Sequence, residues 1–173
     1  TPAVAETIMI ERDLRLLELT GGRYHVSQVS CAASVEVIAR ARRRGQKVTC
    51  GVSAAHLTLN ENDVQSYRTF FKMTPPLRSE DDRRALVAGL ADGTIDVVVS
   101  SHDPQDAEVK RHPFAQAAFG AIGLETLLAS TLSLVHNGDL PLMRLLSAMT
   151  HIPADLLNLN TGRLAAGLPA DLA

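Results

Sequence analysis

Apolar positions along this chain recur with two periods, and the period switches at short runs of Gly, Pro and Asp. Ile8, Ile10, Leu14 and Leu17 mark one face of a helix that Thr1-Pro2 opens and Gly21-Gly22 closes near residue 19. Residues 23–29 then alternate and are rich in Val, Tyr and His, which predicts a strand. A second helical pattern runs over 32–44 and stops at Gly45, and a second strand follows over 47–52. Residues 56–60 read as irregular, 60–67 as a short helix, and 70–73 as a short extended piece before Pro75-Pro76. Ser79-Glu80-Asp81-Asp82 is a helix-start signature with acidic residues in the first turn, and that helix runs to about Ala91 before Asp92-Gly93. A third strand spans 96–100, with helices predicted near 123–136, 140–149 and 153–157. Residues 162–173 read as a turn and the start of another strand.

Strands and helices therefore alternate every ~25–45 residues, the pattern of βα units around a parallel sheet. The fold class is α/β. Three or four strands make either a small open domain or part of a closed barrel, which needs about 250 residues. The chain opens on Thr1 without Met and stops at Ala173 in what reads as mid-strand, so both ends look cut.

Composition narrows the function classes. With 173 residues, 46% of them hydrophobic, the chain is long enough for one ordinary core. A net charge of −2 gives no electrostatic reason to expect nucleic acid or an anionic membrane as partner. Arg40, Arg42, Arg43 and Arg44 form the one dense basic run, at a helix end where cations suit the dipole. Cys31 and Cys50 lie in no CxxC pair, which suits a reducing cytoplasm. No apolar run approaches the ~20 residues of a membrane span, and no signal peptide is visible.

Candidate chemistry gathers where the strands end, the usual place for it in α/β proteins. The first tip offers His25, Ser27, Gln28 and Ser30; the second Ser53 and His56; the third Ser101, His102, Asp103 and Gln105. If Gln28 faces the site, period-2 alternation turns His25 the other way, so His25 is expected to be structural. His56, beside apolar Leu57, is expected to be structural too, and His102 is the better site candidate. No G-x-S-x-G elbow surrounds a serine, and no P-loop or G-x-G-x-x-G is present.

Five stretches, in order along nearly the whole chain, resemble the dihydroorotases of the amidohydrolase superfamily. Tyr24-His25-Val26-Ser27-Gln28-Val29-Ser30-Cys31 resembles their Y-H-I-x-H-V-S-T, and Phe71-Lys72-Met73-Thr74-Pro75-Pro76-Leu77-Arg78 resembles F-K-x-N-P-P-L-R. Ser100-Ser101-His102-Asp103-Pro104-Gln105 resembles T-D-H-A-P-H. Pro113-Phe114 through Phe119-Gly120-Ala121-Ile122-Gly123-Leu124-Glu125-Thr126 resembles P-F-x-x-A-P-F-G-x-x-G-L-E-T, and the tail from Gly162 to Leu172 resembles G-R-L-x-x-G-x-x-A-D-L. Hydantoinases and allantoinases share parts of these motifs. The resemblance implies the C-terminal half of a metal-dependent (β/α)8 TIM-type barrel over 1–160, with 161–173 leading into a small β-subdomain. The family's opening H-x-H metal motif and its bridging carboxylate or carbamylated lysine would lie upstream.

Four departures fall on positions to which the resemblance assigns roles. Gln28 stands where the family has a zinc-binding His, and Ser101 where it has the Asp that binds metal and acts as general base. Thr74 and Gln105 replace an Asn and a His that contact substrate, while Phe119 and Gly120 keep the substrate-side loop. No catalytic or metal position is thus intact, and no cofactor is expected for this chain, although the family uses zinc. Asp103 is weighed as a shifted replacement for the lost Asp, since it shares a side with Ser101. The resemblance implies a protein of de novo pyrimidine synthesis that has lost catalysis and supports assembly of aspartate transcarbamoylase, or self-associates, with a small carboxylate as a further possible ligand. The alternative is an active metal-dependent cyclic amidohydrolase interconverting N-carbamoyl-aspartate and dihydroorotate, with His102 or Asp103 recruited.

Overall fold

The structure is a computed structural model and describes residues 1–169. Its centre is a parallel three-stranded sheet in the order β1 (Tyr24–Val26), β2 (Val48–Ser53), β3 (Val97–Val99). Tyr24 pairs with Val48, and Gly51 with Val97. Helices α1 (Ala3–Thr20), α2 (Ala32–Arg43) and α4 (Glu80–Asp92) connect or flank these strands, and α7 (Leu142–Met149) packs on β3.

One face of the sheet builds the core. Val26, Val48, Cys50, Val52 and Val98 meet Ile10, Leu14 and Leu17 of α1, Val37 and Ile38 of α2, Leu86 and Leu90 of α4, and Leu145 of α7. Core residues three or four apart recur on each helix (Ile10, Leu14 and Leu17; Ile38 and Ala41; Leu86 and Leu90; Leu145 and Ala148), as an amphipathic stripe requires. Helix ends follow local chemistry. Gly21 closes α1 in the left-handed region (φ 67°), and its N–H reaches the Leu17 carbonyl at 2.9 Å. Ser79 caps α4 by accepting the Asp82 N–H. Cys31, at the start of α2, supplies no cap of its own. There Asp82 accepts the Ala32 N–H at 2.9 Å and Glu6 accepts the Ser30 N–H at 2.9 Å, so carboxylates from α4 and α1 serve the N-terminus of α2.

The rim of the sheet differs from the sequence expectation in several places. The first strand stops at Val26 instead of continuing to residue 29, because Ser27 bends, although the Val29 N–H still bonds the Gly51 carbonyl. Residues expected to be irregular form helix α3 (Ala54–Thr58), started by Ser53 accepting the His56 N–H. The predicted helix over 60–67 is a 3-10 turn, Glu61–Val64, with an Asn60/Asp63 capping box, and the expected extended piece at 70–73 is the 3-10 turn Thr69–Phe71. A short helix α5 (Ala107–Lys110) was not foreseen. Helix α6 (Leu127–His136) begins four residues later than the predicted start at Gly123; residues 124–126 form a turn, and the N–H groups of Gly123 and Leu124 bond the His102 ring. Helix α8 (His151–Leu156) follows α7. Residues 162–169 form turns with no strand; the remainder of the predicted strand lies outside the described residues.

Candidate active site at the strand tips

Gln28 and Ser101 sit past the carboxyl ends of β1 and β3, the two strands that flank β2. They bond each other across the sheet: Gln28 Nε2 donates to Ser101 Oγ at 2.9 Å, and Ser101 Oγ lies 3.3 Å from Gln28 Oε1. Two local features make the meeting possible. Ser101 adopts a left-handed backbone (φ 50°), turning the chain as β3 ends. Gly51 lets the first tip lie close to β2, since a Cβ there would stand 2.6 Å from the Ser27 carbonyl oxygen and 2.9 Å from Val97 Cγ2.

The histidines are engaged elsewhere. His25 shares the face of the sheet away from the helices with its register partner Thr49, and its Nδ1 lies 2.8 Å from Thr49 Oγ1. Burial lowers its pKa below the ordinary histidine value. Because β1 ends at Val26, alternation does not extend as far as Gln28; the structural role of His25 follows from its hydrogen bond instead. His56 is buried, with Nε2 at 3.1 Å and 3.2 Å from the Pro75 and Pro76 carbonyls and Nδ1 at 2.6 Å from Ser53 Oγ. Two carbonyls can only accept, so Nε2 carries the proton and Nδ1 accepts from Ser53. Burial also pushes its pKa down. His56 thereby ties the 74–78 loop to the end of β2. The Nδ1 of His102 accepts the N–H groups of Gly123 (3.2 Å) and Leu124 (3.3 Å). Asp103, weighed as a replacement carboxylate, is turned toward Gln105, whose Nε2 donates to it at 2.8 Å, and it lies over Gly120, where a Cβ would be 2.6 Å from Asp103 Oδ2.

Gln105 and Gly120 also line a cavity of about 480 Å³ at this end of the sheet, together with Ala55, Phe71, Ser100 and Thr126. Thr74 is exposed and lines neither this cavity nor the Gln28–Ser101 pair. Phe119 is also exposed, with the Lys72 ammonium 4.6 Å from its ring centre. Two lysines to which the sequence reading gave no role hold these loops together. Lys72 Nζ donates to the Phe114 and Ala115 carbonyls, and Lys110 Nζ donates to the Thr69 and Ala118 carbonyls, both at 2.9 Å. Burial, and then the charge of Lys72, lower the Lys110 pKa. Nothing in the periodicity marked either lysine, because Lys72 sits in an irregular segment and Lys110 ends the four-residue helix α5, too short to show a period.

Zinc needs imidazole, thiolate or carboxylate donors converging on one point. Among the described residues no group of three or more His, Cys, Asp or Glu side chains is placed to hold a metal. The Gln28 amide and the Ser101 hydroxyl are neutral and already satisfy each other. This pair does not fit the zinc ion that the resemblance implies.

Residues 4–173 match the amidohydrolase family. The chain belongs to that family. Within it, the chain is 44% identical over 172 residues to the dihydroorotase of Anaplasma phagocytophilum (strain HZ), covering 99% of this chain and 38% of that protein. It is 48% identical over 174 residues to the dihydroorotase of Anaeromyxobacter dehalogenans (strain 2CP-C), covering 99% of this chain and 40% of that protein. Among solved structures, L-hydantoinase from Arthrobacter aurescens superimposes with a TM-score of 0.94 at 33% identity, over 99% of this chain and 39% of its own. Dihydropyrimidinase from Brevibacillus agri NCHU1002 gives 0.91 at 26% identity, over 98% of this chain and 39% of its own. The chain thus spans about two-fifths of the length of the relatives it matches. The three parallel strands with their helices are part of an amidohydrolase (β/α)8 barrel, as the α/β reading expected.

Proposed function

We propose that this chain is part of a dihydroorotase-like protein of pyrimidine biosynthesis whose strand-tip site has lost zinc catalysis, and that the protein acts in the cytoplasm by supporting aspartate transcarbamoylase assembly. The observation carrying this reading is the Gln28–Ser101 hydrogen bond at 2.9 Å, on the two positions where the resemblance puts a zinc-binding His and the Asp base. Losing a general base costs roughly 10²–10⁴ in rate. Without metal the attacking water keeps its bulk pKa of about 15.7, so the nucleophile is lost as well. A frame kept around a neutral pair suits a binding role, and the nearby cavity, mostly apolar with Gln105 and Lys110 among its polar groups, is where a small carboxylate would be held without turnover. Free Cys31 and Cys50 fit a reducing compartment.

The complete polypeptide, supplied with zinc, is expected to hydrolyse dihydroorotate no faster than the metal-free blank and to retain no zinc after gel filtration. Turnover well above the blank would establish the active cyclic amidohydrolase instead. Mixed with aspartate transcarbamoylase, the polypeptide is expected to co-elute on size-exclusion chromatography, and independent peaks would remove the partner role.

A further inference from the structure

A second hollow, of about 740 Å³, opens between the 67–70 segment and α5 and adjoins the strand-tip cavity, with which it shares Phe70, Gln105 and Lys110. Its chemistry differs from that of the rest of the molecule. Arg68, Arg111 and His112 line it, and no carboxylate does. None of these three side chains has an ion pair or hydrogen bond among the described residues, whereas Arg42, Arg83 and Arg163 are all paired with carboxylates. The chain as a whole carries a net charge of −2, so this cationic lining is local. Beside it stand Tyr67 and Phe70, 71% and 72% exposed, two of only six aromatic residues in the chain (four Phe, two Tyr, no Trp). The backbone presents them in a restricted way: Gln65 (φ 46°) and Tyr67 (φ 59°) are both in the left-handed region that side chains avoid. The walls are fixed to each other by reciprocal bonds. Thr69 Oγ1 donates to the Lys110 carbonyl at 2.6 Å, Lys110 Nζ donates to the Thr69 carbonyl at 2.9 Å, and the Tyr67 ring packs edge-on against Phe114 at 5.6 Å.

We propose that this groove docks an acidic segment of a partner protein carrying an apolar or aromatic anchor residue. Guanidinium groups suit carboxylates through paired hydrogen bonds. Exposed aromatic rings on a rigid wall are the usual seat of an anchor side chain, because little conformational freedom remains to be lost there. A nucleic acid would need a longer basic field than Arg68, Lys110 and Arg111 provide on an anionic chain. The inference rests on the lining of this groove and not on the Gln28–Ser101 pair, so its failure leaves the reading of that pair untouched, and the reverse holds too.

The test is fluorescence anisotropy with the full polypeptide. The probe is a short labelled Glu/Asp-rich peptide with a central Leu-Phe; the comparisons are the same peptide with Ser at the anchor positions and a labelled single-stranded oligonucleotide of equal charge. The anchored peptide is expected to bind, and R68A/R111A and F70A are each expected to weaken it by about tenfold or more. The altered side chains are exposed, so unchanged circular dichroism and unfolding midpoint certify that the variants are folded. No binding of the anchored peptide, equal binding by R68A/R111A, or equal affinity for the anchorless peptide or the oligonucleotide would each overturn the proposal.

Discussion

At the scale of single residues, position in the fold overrides residue type. Gln28 and Ser101 satisfy each other across the sheet, and the pair has a measurable consequence: Gln28→Ala is expected to lower stability by about 0.5–1.5 kcal/mol, the net worth of a hydrogen bond, read from the urea midpoint. Gly51 has a larger role. A methyl there would press on the Ser27 carbonyl and Val97, so Gly51→Ala is expected to cost about 1–3 kcal/mol by overpacking, and an unchanged midpoint would show that the tips are looser than described. His25 and His56 set a pH dependence. Burial lowers both pKa values, whereas in the unfolded chain a histidine titrates near about 6.5. Well above that pH both states are neutral and stability is level. As pH falls below it, the unfolded chain binds protons that the folded state resists, so stability drops. Glu80, held down at about 2 by its hydrogen bond with Arg83, keeps its charge throughout that window. The urea midpoint is expected to fall between about pH 6.5 and 5.5, and His56→Gln to flatten that fall.

At the scale of elements, capping shows what neighbours contribute. Helix α4 carries its own cap in Ser79, a local signal, and Ser79→Ala is expected to cost about 1 kcal/mol. Helix α2 has Cys31 where a cap belongs and takes Asp82 of α4 and Glu6 of α1 instead. Asp82→Ala removes a partner from two helices, since Asp82 also accepts from Ser79 Oγ at 2.7 Å. Its destabilisation is expected to exceed that of Ser79→Ala in paired chemical-denaturation curves, and equal effects would deny the cross-helix cap. The start of β3 is held the same way. Arg42 donates to the Val48 and Gly93 carbonyls, each at 3.0 Å, and pairs with Asp96. The basic run that the sequence assigned to a helix end is therefore divided: Arg42 is structural and Arg40 pairs with Glu11.

At the scale of the whole molecule, the sheet has two edges. Strands β1 and β3 each pair on one side only among the described residues, and Val4, Ile8 and Leu19 of α1 are exposed. Unpaired parallel edges beside apolar surface recruit other chains. Expressed alone, these 173 residues are expected to associate in a concentration-dependent way by light scattering coupled to gel filtration, and a monomer of constant mass would count against it. No helix among the described residues is long and apolar enough to cross a membrane, as the absence of a long apolar run led one to expect.

What the sequence determined alone is what its local period encodes. The helices at 3–20, 32–43 and 80–92, the strand at 48–53, the stop at Gly21 and the cap at Ser79 were all legible, because each depends on residues within a turn or two of one another. The motifs that resemble the amidohydrolases were legible for the same reason, as short contiguous strings. Only the tertiary structure decided the rest. Gln28 meets Ser101 across 73 residues, Lys110 finds the carbonyl of Thr69 across 41, and the His102 ring accepts the Gly123 N–H across 21. Such partners are set by strand register and loop packing. A period along the chain carries no record of which distant side chain will arrive within 3 Å, so Gln28 and Ser101 were visible in the sequence only as departures from the motifs it resembles and became a closed hydrogen-bonded pair only in the fold.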